Sequence, residues 1–359
     1  VPKYLPDSSG AAGAANRLRV VSLEHKTGLH GSPTAVMQFD GATGWLVGEP
    51  HGGIKAMFTM MNNARLGVGG QGIGAAEGAF QHALAFAKER KQGRTPVDDG
   101  SGTILDHADV RRMLITMKAE IFAARSIALS CAAATDMARA TAGAEKSANT
   151  TTDWAARAAF LTPIVKAHGT EIGHEVAQMG VQVHGGMGYI EEAGAAQYAR
   201  DVRVTLIYEG TNGIQAMDLV ARKMMDGGEA AYRLLEEVAQ TAEGARADLP
   251  ELAGALWFAT ESLREATEAL VAEDDLNDRF AGAAPYLRAF ARVLGAHFHL
   301  KAAMTERTGA KSGSTSGGAR TALARFYIER LLPEQAGLLA HARAGAAGLY
   351  ALTAEDLAS

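Results

Sequence analysis

The chain has 359 residues, 21% of them charged, with a formal net charge of −5 and a single cysteine. That length is enough for a large core and for more than one structural unit. A net negative charge without a long Lys/Arg run argues against nucleic-acid binding. The lone Cys131 excludes an internal disulfide framework and is typical of a reducing, cytoplasmic compartment. No apolar run reaches the length of a membrane-spanning helix, so we expect no transmembrane segment.

Residues 1–48 are predicted to be β structure. Residues 17–23 and 35–40 are short β-prone runs, and turn-forming glycine and proline residues lie between them. Two or three strands without further sheet partners do not make a stable unit. The chain also begins without an initiator methionine or a signal-peptide pattern. We therefore expect it to begin inside a longer protein, in the remainder of a truncated β-domain.

The pattern becomes helical over residues 49–226. Four helices are predicted there, separated by glycine-rich or polar breaks, at residues 54–91, 104–140, 152–183 and 211–225. Long helices with short connections form antiparallel bundles. This region is therefore predicted to be a helical bundle.

A second helical unit is predicted over residues 229–359, after the Gly-Gly pair at 227–228. Its apolar residues share one helix face, as Leu252, Leu256, Leu263 and Leu270 do. Residues 308–318 are rich in glycine, serine and threonine, so they are predicted to form a flexible loop.

A glycine-rich run at residues 67–72 has the spacing GxGxxG. A dinucleotide-binding turn needs a strand directly before this motif, but the preceding residues are predicted to be helical. We attribute the glycines to close helix packing along one face, formed by Gly67, Gly70, Gly74 and Gly78.

Glu209 is a lone carboxylate between an apolar run, Leu206-Ile207-Tyr208, and a glycine. The apolar neighbours predict a setting of low dielectric constant, which suits a carboxylate that takes up a proton. A helix begins just behind it, so backbone N–H groups at that helix start point back towards Glu209. Thr211 or Asn212 is expected to cap this helix. The alternative interpretation is a surface turn with an incidental glutamate.

Five sequence features occur in an order and spacing that resemble the acyl-CoA dehydrogenase family of flavoproteins. They are residues 26–34, Arg65, the run Glu89-Arg90-Lys91-Gln92, residues 182–189 and the Glu209 run. Together they cover roughly residues 18–225. Each is weak alone, since a charged helix end or a glycine pair is common, but the set is specific.

The resemblance implies a mainly α fold in three parts. Residues 1–48 correspond to a remnant of the middle β-domain, and residues 49–226 to the C-terminal helical bundle that binds flavin and acyl-CoA. Residues 229–359 form an additional all-α extension. This extension resembles that of a longer bacterial branch of the family.

The activity implied is FAD-dependent α,β-dehydrogenation of an acyl-CoA thioester to the trans-2-enoyl-CoA, as in fatty-acid β-oxidation. Glu209 would remove the α-proton while the β-hydrogen leaves as a hydride to the flavin. Some branches carry the base one residue before the helix-opening arginine, where Ala64 cannot act, so Glu209 is favoured. The longer branch suggests 3-methylmercaptopropionyl-CoA as substrate and methylthioacryloyl-CoA as product, in dimethylsulfoniopropionate catabolism.

The resemblance also implies the binding residues. FAD would contact Arg90, Gln92, Gln182, Gly185, Gly186 and Thr211, since a guanidinium matches a pyrophosphate and glycines admit close backbone approach. The acyl-CoA would contact Met61, Asn62, Arg65 and Gly210, although a structural ion pair is an equal alternative for Arg65. No metal site is expected. An electron-transfer flavoprotein is the expected electron acceptor, and a homodimer or homotetramer the expected assembly.

Two alternatives remain open at this point. One is an acyl-CoA oxidase, which would use the same base but admit oxygen to the reduced flavin. The other is a non-catalytic scaffold that retains the fold for binding. Because the sheet residues that hold the flavin ring lie outside this chain, we expect the chain alone to bind flavin weakly and to be inactive.

Overall fold

A computed structural model describes residues 1–97, 99–141, 153–311 and 318–359. The chain divides into two compact units, Val1–Asn63 and Ala64–Ser359. The described residues are mainly helical, which confirms the predicted fold class. The domain boundaries at residues 48 and 228 stay predictions.

The first unit contains two antiparallel hairpins and the start of a helix. Strands β1 (Tyr4–Pro6) and β2 (Ala12–Ala15) form one hairpin, and β3 (Leu18–Leu23) and β4 (Ala35–Phe39) form the other. The strands predicted at 17–23 and 35–40 are thus confirmed. Buried Asn16 links the hairpins, because its Nδ2 donates to the Pro2 and Thr43 carbonyls.

Eleven α-helices are described, and the boundary between the units lies within the first. They are α1 (Gly53–Glu89), α2 (Ala108–Ala140), α3 (Trp154–His184), α4 (Ala195–Val202), α5 (Asn212–Arg222), α6 (Glu229–Ala245), α7 (Pro250–Ala272), α8 (Leu276–Lys311), α9 (Ala319–Arg330), α10 (Glu334–Ala342) and α11 (Ala354–Ala358). Helices α1, α2, α3 and α5 correspond to the four predicted in the first helical region.

The prediction of a flexible loop over residues 308–318 is wrong for its first residues. Helix α8 continues to Lys311, and the hydroxyl of Thr308 donates to the Met304 carbonyl one turn earlier, at 3.0 Å. Small polar residues are tolerated in a last helical turn when their hydroxyls bond to the preceding carbonyls. Residues 312–317 lie outside the described part of the chain.

One core cluster joins the two helical regions. It contains buried residues of α2, α3 and α5 together with residues of α6 to α10. Leu252, Leu256, Leu263 and Leu270 are all buried in it, as the helical spacing predicted. Cys131 on α2 is buried too, and its Sγ lies 3.7 Å from the Ala158 carbonyl of α3. The extension therefore packs on the first bundle through a shared core.

Helices α1 and α3 run parallel and in close contact. A Cβ on Gly69 would lie 2.7 Å from Val165, and one on Gly72 would lie 2.5 Å from the Gly169 carbonyl oxygen. Further along, the rings of Phe86 and His184 stack with centroids 4.5 Å apart. Such backbone contact is open only to glycine, so α1 and α3 form a rigid pair.

The predicted glycine face of α1 is mostly wrong. Gly67, Gly70 and Gly74 are exposed, and a Cβ at any of them would meet no atom within 4 Å. Of that set, Gly78 alone packs closely, against Tyr198 of α4. Glycines on two faces of one helix have the same spacing in the sequence, and only the position of α3 distinguishes them.

Helix α2 is long and apolar enough, by length and composition alone, to cross a membrane. Its buried residues run from Met113 to Ala134 and lie against α3 and α8. A core helix passes the same test, so this is weak evidence for a membrane span. The expected absence of a transmembrane segment stays a prediction.

Candidate active site

Glu209 lies in a strained turn between a short 3₁₀ helix, Arg203–Leu206, and α5. Its φ is +56°, a left-handed conformation that is rare for residues other than glycine, and Gly210 follows with φ +86°. Buried Gln215 holds this base turn, residues 208–211, because its Nε2 donates to the Glu209 carbonyl at 3.2 Å and to the Gly210 carbonyl at 3.3 Å. The fully buried amide of Gln215 therefore holds both carbonyls of the strained turn.

The surroundings of Glu209 are less apolar than predicted. Glu209 is half-buried, and the Ile207 side chain is 52% exposed, so it does not cover the carboxylate. The Tyr208 hydroxyl donates to the Gln71 Oε1 of α1. Burial, and then the nearby Glu209 carboxylate, raises the pKa of Tyr208. Ile207 therefore does not contribute to the predicted setting of low dielectric constant, because a tight turn directs alternate side chains outwards. For half-buried Leu206 and Tyr208 that setting stays a prediction.

Arg65 lies beneath the base turn in a buried ion pair. Its Nη1 is 3.2 Å from the Asp218 Oδ2 of α5, and the other oxygen of Asp218 is 2.9 Å from the Arg222 Nε. A Cβ on Gly210 would lie 3.8 Å from the Arg65 Nη2. The structural ion pair considered for Arg65 is thus present. Its predicted contact with substrate stays a prediction.

The helix behind the turn begins as predicted but is not capped as predicted. Thr211 occupies the N-cap position of α5 and makes no side-chain hydrogen bond there. Its carbonyl accepts from the backbone N–H of Gln215 at 3.1 Å. Asn212 is the first helical residue, and its side chain points to α3 instead. The exposed Thr211 hydroxyl stays a predicted flavin contact.

Asn212 meets a buried polar cluster on α3. The Lys166 Nζ donates to the Asn212 Oδ1 at 2.9 Å, and the Asn212 Nδ2 donates to the Thr170 Oγ1 at 3.1 Å and to the Glu171 Oε1 at 3.3 Å. Lys166 and Thr170 are fully buried. Burial, and then repulsion by Arg65, lowers the pKa of Lys166 to about 8. The sequence analysis did not identify this cluster, although a single lysine in an apolar helical run signals it.

The predicted flavin residues at the far end of α1 and α3 are exposed. The Arg90 Nη2 donates to the Gln92 Oε1 at 3.0 Å, just beyond the end of α1. Gln182 lies in the last turn of α3, and Gly185 and Gly186 follow directly after it. Gly185 has φ +59°, and a Cβ on either glycine would meet no atom within 4 Å. The stacked Phe86 and His184 rings, one turn before Arg90 and next to Gly185, bring these helix ends together.

The predicted site residues therefore form two groups. Arg65, Glu209, Gly210 and Thr211 lie at the beginning of the α1–α3 pair, and the other group lies at its end. Twenty-four helical steps from Arg65 to Glu89 correspond to about 36 Å. Met61 is half-buried in the first unit, and the Asn62 side chain lies outside the described residues.

Other ionisable side chains of the helical unit, Glu191, Glu192 and His299, are surface or packing residues. Glu191 and Glu192 are exposed in a 3₁₀ turn, and Glu191 pairs with Arg200 at 3.0 Å. Within the described ranges, no group of three or more His, Cys, Asp or Glu side chains is arranged to hold a metal ion. His299 of α8 is buried with its Nε2 3.1 Å from the Ala119 carbonyl.

Comparisons with known proteins agree with this architecture. The family model for the acyl-CoA dehydrogenase C-terminal domain matches residues 51–225, and the model for an acetyl-CoA dehydrogenase C-terminal-like domain matches residues 234–353. The 3-methylmercaptopropionyl-CoA dehydrogenase of Ruegeria pomeroyi is 41% identical over 349 residues, which are 93% of this chain and 58% of that protein. The chain thus spans little more than half of this curated relative.

Two solved structures share the fold at 20% sequence identity. The crystal structure of Caenorhabditis elegans ACDH-11 in complex with C11-CoA matches with a TM-score of 0.70, over 91% of this chain and 56% of that one. An acyl-CoA dehydrogenase of Bacillus anthracis complexed with FAD matches with a TM-score of 0.64 over the same shares. With the two family models covering most of its length, the chain belongs to the acyl-CoA dehydrogenase family.

Proposed function

We propose that this protein catalyses the FAD-dependent α,β-dehydrogenation of an acyl-CoA thioester to the trans-2-enoyl-CoA, with Glu209 as the base. The observation that carries the proposal is the geometry of Glu209 in a chain of this family. Its carboxylate is half-exposed, on a strained turn whose carbonyls are fixed by Gln215. A base on a fixed, partly open turn can meet the α-proton of a bound thioester without rearrangement.

The backbone of the base turn also offers a donor for the thioester carbonyl. None of the described residues accepts a hydrogen bond from the backbone N–H of Glu209. This N–H is therefore available to polarise the carbonyl oxygen, which makes the α-proton more acidic. Glu209 would thus supply both the base and one oxyanion donor.

The residues present fit FAD, the cofactor of the family. Gly185 and Gly186 form an exposed turn without side chains, and Arg90 beside it has an exposed guanidinium group. These residues, with Gln92 and Gln182, would hold the pyrophosphate and adenosine side, and Thr211 would contact the flavin. When bound, FAD would supply the acceptor for the hydride that leaves the β-carbon.

The separation of the two groups supports a homodimer or homotetramer. About 36 Å of helix lies between Arg65 and Glu89, a span longer than an extended FAD molecule. The residues around Arg90 in one copy of the chain would therefore bind the FAD molecule that lies beside Glu209 of another copy. The electrons removed from the thioester must leave the protein, and an electron-transfer flavoprotein is the acceptor that we expect.

The finer substrate assignment is 3-methylmercaptopropionyl-CoA, oxidised to methylthioacryloyl-CoA in dimethylsulfoniopropionate catabolism. It is supported by 41% identity to the Ruegeria pomeroyi enzyme over 93% of this chain, which includes the helical extension. A cytoplasmic location belongs to the same proposal, since Cys131 is a free thiol.

The test is flavin bleaching in the full gene product that contains this chain. 3-Methylmercaptopropionyl-CoA, butyryl-CoA and octanoyl-CoA are added in turn to the purified flavoprotein under anaerobic conditions, without an electron acceptor, so that reduced flavin accumulates. We expect bleaching, fastest with the first thioester, and at least about a 100-fold slower rate in Glu209→Gln, because a general base contributes that much. The matched control is Glu192→Gln, an exposed carboxylate nearby, which should bleach at the wild-type rate. A protein without flavin, or a Glu209→Gln variant that bleaches normally, would refute the proposal.

A further inference from the structure

The base turn is anchored at two points, and the second lies outside the residues assigned so far. The first is Gln215, which holds the carbonyls of Glu209 and Gly210. The second is Asn212, directly after the turn, whose side-chain amide is hydrogen-bonded to a single turn of α3. Its Oδ1 accepts from the Lys166 Nζ at 2.9 Å, and its Nδ2 also donates to the Ala167 carbonyl at 3.2 Å.

The α3 side of this second anchor is tightly packed. Thr170 is fully buried, and its hydroxyl donates back to the Lys166 carbonyl at 2.8 Å. Beside it, the backbone of α3 touches that of α1, because a Cβ on Gly72 would lie 2.7 Å from the Thr170 Cα. Any movement of the start of α5 must therefore break hydrogen bonds to a fixed partner.

Burying a lysine at this position carries a desolvation penalty that a purely structural role would not require. Lys166 is 0% exposed, and within the described parts of the chain Asn212 is the only hydrogen-bond acceptor of its Nζ. Burial disfavours the ammonium, Arg65 repels it, and Glu171 and Glu209 attract it. An apolar side chain of the same length would fill this space without the desolvation penalty.

We propose that Lys166 is a positioning residue for Glu209 that acts through Asn212. Its ammonium group fixes the Asn212 amide, which fixes the first turn of α5 and so the left-handed backbone of Glu209. Its positive charge also attracts the ionised carboxylate of Glu209. The inference rests on the proposed function, since it gives Lys166 a part in the action of the same base.

The test compares Lys166→Met with the wild-type flavoprotein by rapid mixing with the thioester that bleaches the wild type. We expect the bleaching rate at saturating thioester to fall by about 10- to 100-fold, since small misplacements of a reacting group have effects of this size. The Kd of the thioester should change by less than about threefold, and the Tm should stay equal or rise, because a desolvated charge is removed. A merely structural residue would instead lower the Tm.

A double-mutant cycle tests the route through Asn212. Asn212→Ala should slow bleaching by a similar factor, and Lys166→Met should have little further effect in that background. Thr267→Val is the matched control, since it removes a buried hydroxyl on α7 that is 2.9 Å from the Tyr286 hydroxyl. It should lower the Tm and leave the bleaching rate unchanged. If Lys166→Met does not fold, Lys166→Gln enters the same cycle with the same criteria.

The outcomes separate this inference from the proposed function. Two results would overturn the role of Lys166 without affecting the proposed dehydrogenase activity. One is a wild-type bleaching rate in Lys166→Met. The other is a double variant whose bleaching rate falls by the product of the two single-variant factors, because Lys166 would then act independently of Asn212. A wild-type flavin that no thioester bleaches would overturn the proposed function, and this inference with it.

Discussion

Glu209 combines a reactive side chain with an unfavourable backbone conformation. A left-handed φ of +56° at a residue other than glycine costs about 1–3 kcal/mol, which the surrounding contacts must offset. Two amides supply those contacts, Gln215 from within α5 and Asn212 through its bonds to α3. The strained backbone of the base turn therefore coincides with the residue whose carboxylate is proposed to react.

Gly210 is the most sensitive position of the base turn. Its φ is +86°, and a Cβ would lie 2.8 Å from the Gln215 Nε2 that anchors the turn. We expect Gly210→Ala to lower the free energy of unfolding by about 1–3 kcal/mol, measured by urea titration, and to slow flavin bleaching. Gly213→Ala is the matched control: its Cβ would meet no atom closer than 4.0 Å, and alanine in a helix gains up to about 1 kcal/mol over glycine. Equal losses in the two variants would contradict this account.

At the scale of helices, the contact between α1 and α3 determines where the site lies. Close approach at Gly69 and Gly72 fixes α1 against the turn of α3 that carries Thr170. The same parallel contact brings the far ends of α1 and α3 together, about 36 Å away by the helical rise from Arg65 to Glu89. The helices themselves could be predicted from the spacing of apolar residues. Their mutual contact could not.

Gly72 tests that contact directly. A Cβ there would lie 2.5 Å from the Gly169 carbonyl oxygen and 2.7 Å from the Thr170 Cα, both of them backbone atoms that cannot rotate away. We expect Gly72→Ala to lower the free energy of unfolding by about 1–3 kcal/mol, because the helices must separate. Gly70→Ala, two residues earlier and exposed, should raise it by up to about 1 kcal/mol. A chemical-denaturation series that gave both variants the same sign would refute the assigned packing face.

Single residues in recognisable segments could be predicted from the sequence, whereas contacts between helices could not. Glu209 and the glycine turn at 185–186 could be found because their segments carry a recognisable order of residues. Lys166 could not be assigned a role, because its partner Asn212 is 46 residues away and the pairing depends on how α3 meets α5. Likewise, the exposure of Ile207 depends on the direction of a turn, which a hydropathy pattern does not encode.

For the whole helical unit, buried charges as well as apolar residues join the extension to the bundle. Arg292 of α8 is 3% exposed and pairs with Glu120 of α2 and with Glu334 of α10. Arg288, one turn earlier, pairs with the α3 residue Glu175 at 2.5 Å. Removing one partner of such a pair leaves a buried charge, so these contacts make the docking of the extension specific. The extension is thus part of the structure that supports the site on α3.

Two buried histidines of α8 should make this unit unstable in acid. Burial lowers the pKa of His299 to about 4 and that of His297 to about 3. Each histidine binds a proton in the unfolded chain below about pH 6.5 but remains neutral in the folded chain. Its contribution to the free energy of unfolding is therefore fully present above that pH. This contribution falls as the pH drops towards the pKa of the histidine in the folded chain. The loss is about 1.4 kcal/mol per pH unit for each histidine within its window.

Replacing His299 by phenylalanine isolates its share of the acid sensitivity. The ring lies between Phe122 and Tyr327, with centroids 4.6 Å from each, so phenylalanine can occupy the space. The lost hydrogen bond to Ala119 shifts the stability by a similar amount at every pH, whereas the lost titration changes its slope. Between pH 7 and pH 4, wild type should therefore lose about 3 kcal/mol more than His299→Phe, measured by urea unfolding at each pH. His341→Phe, at an exposed position of α10, should run parallel to wild type; a His299→Phe curve that did so as well would show that this histidine titrates alike in the folded and unfolded chains.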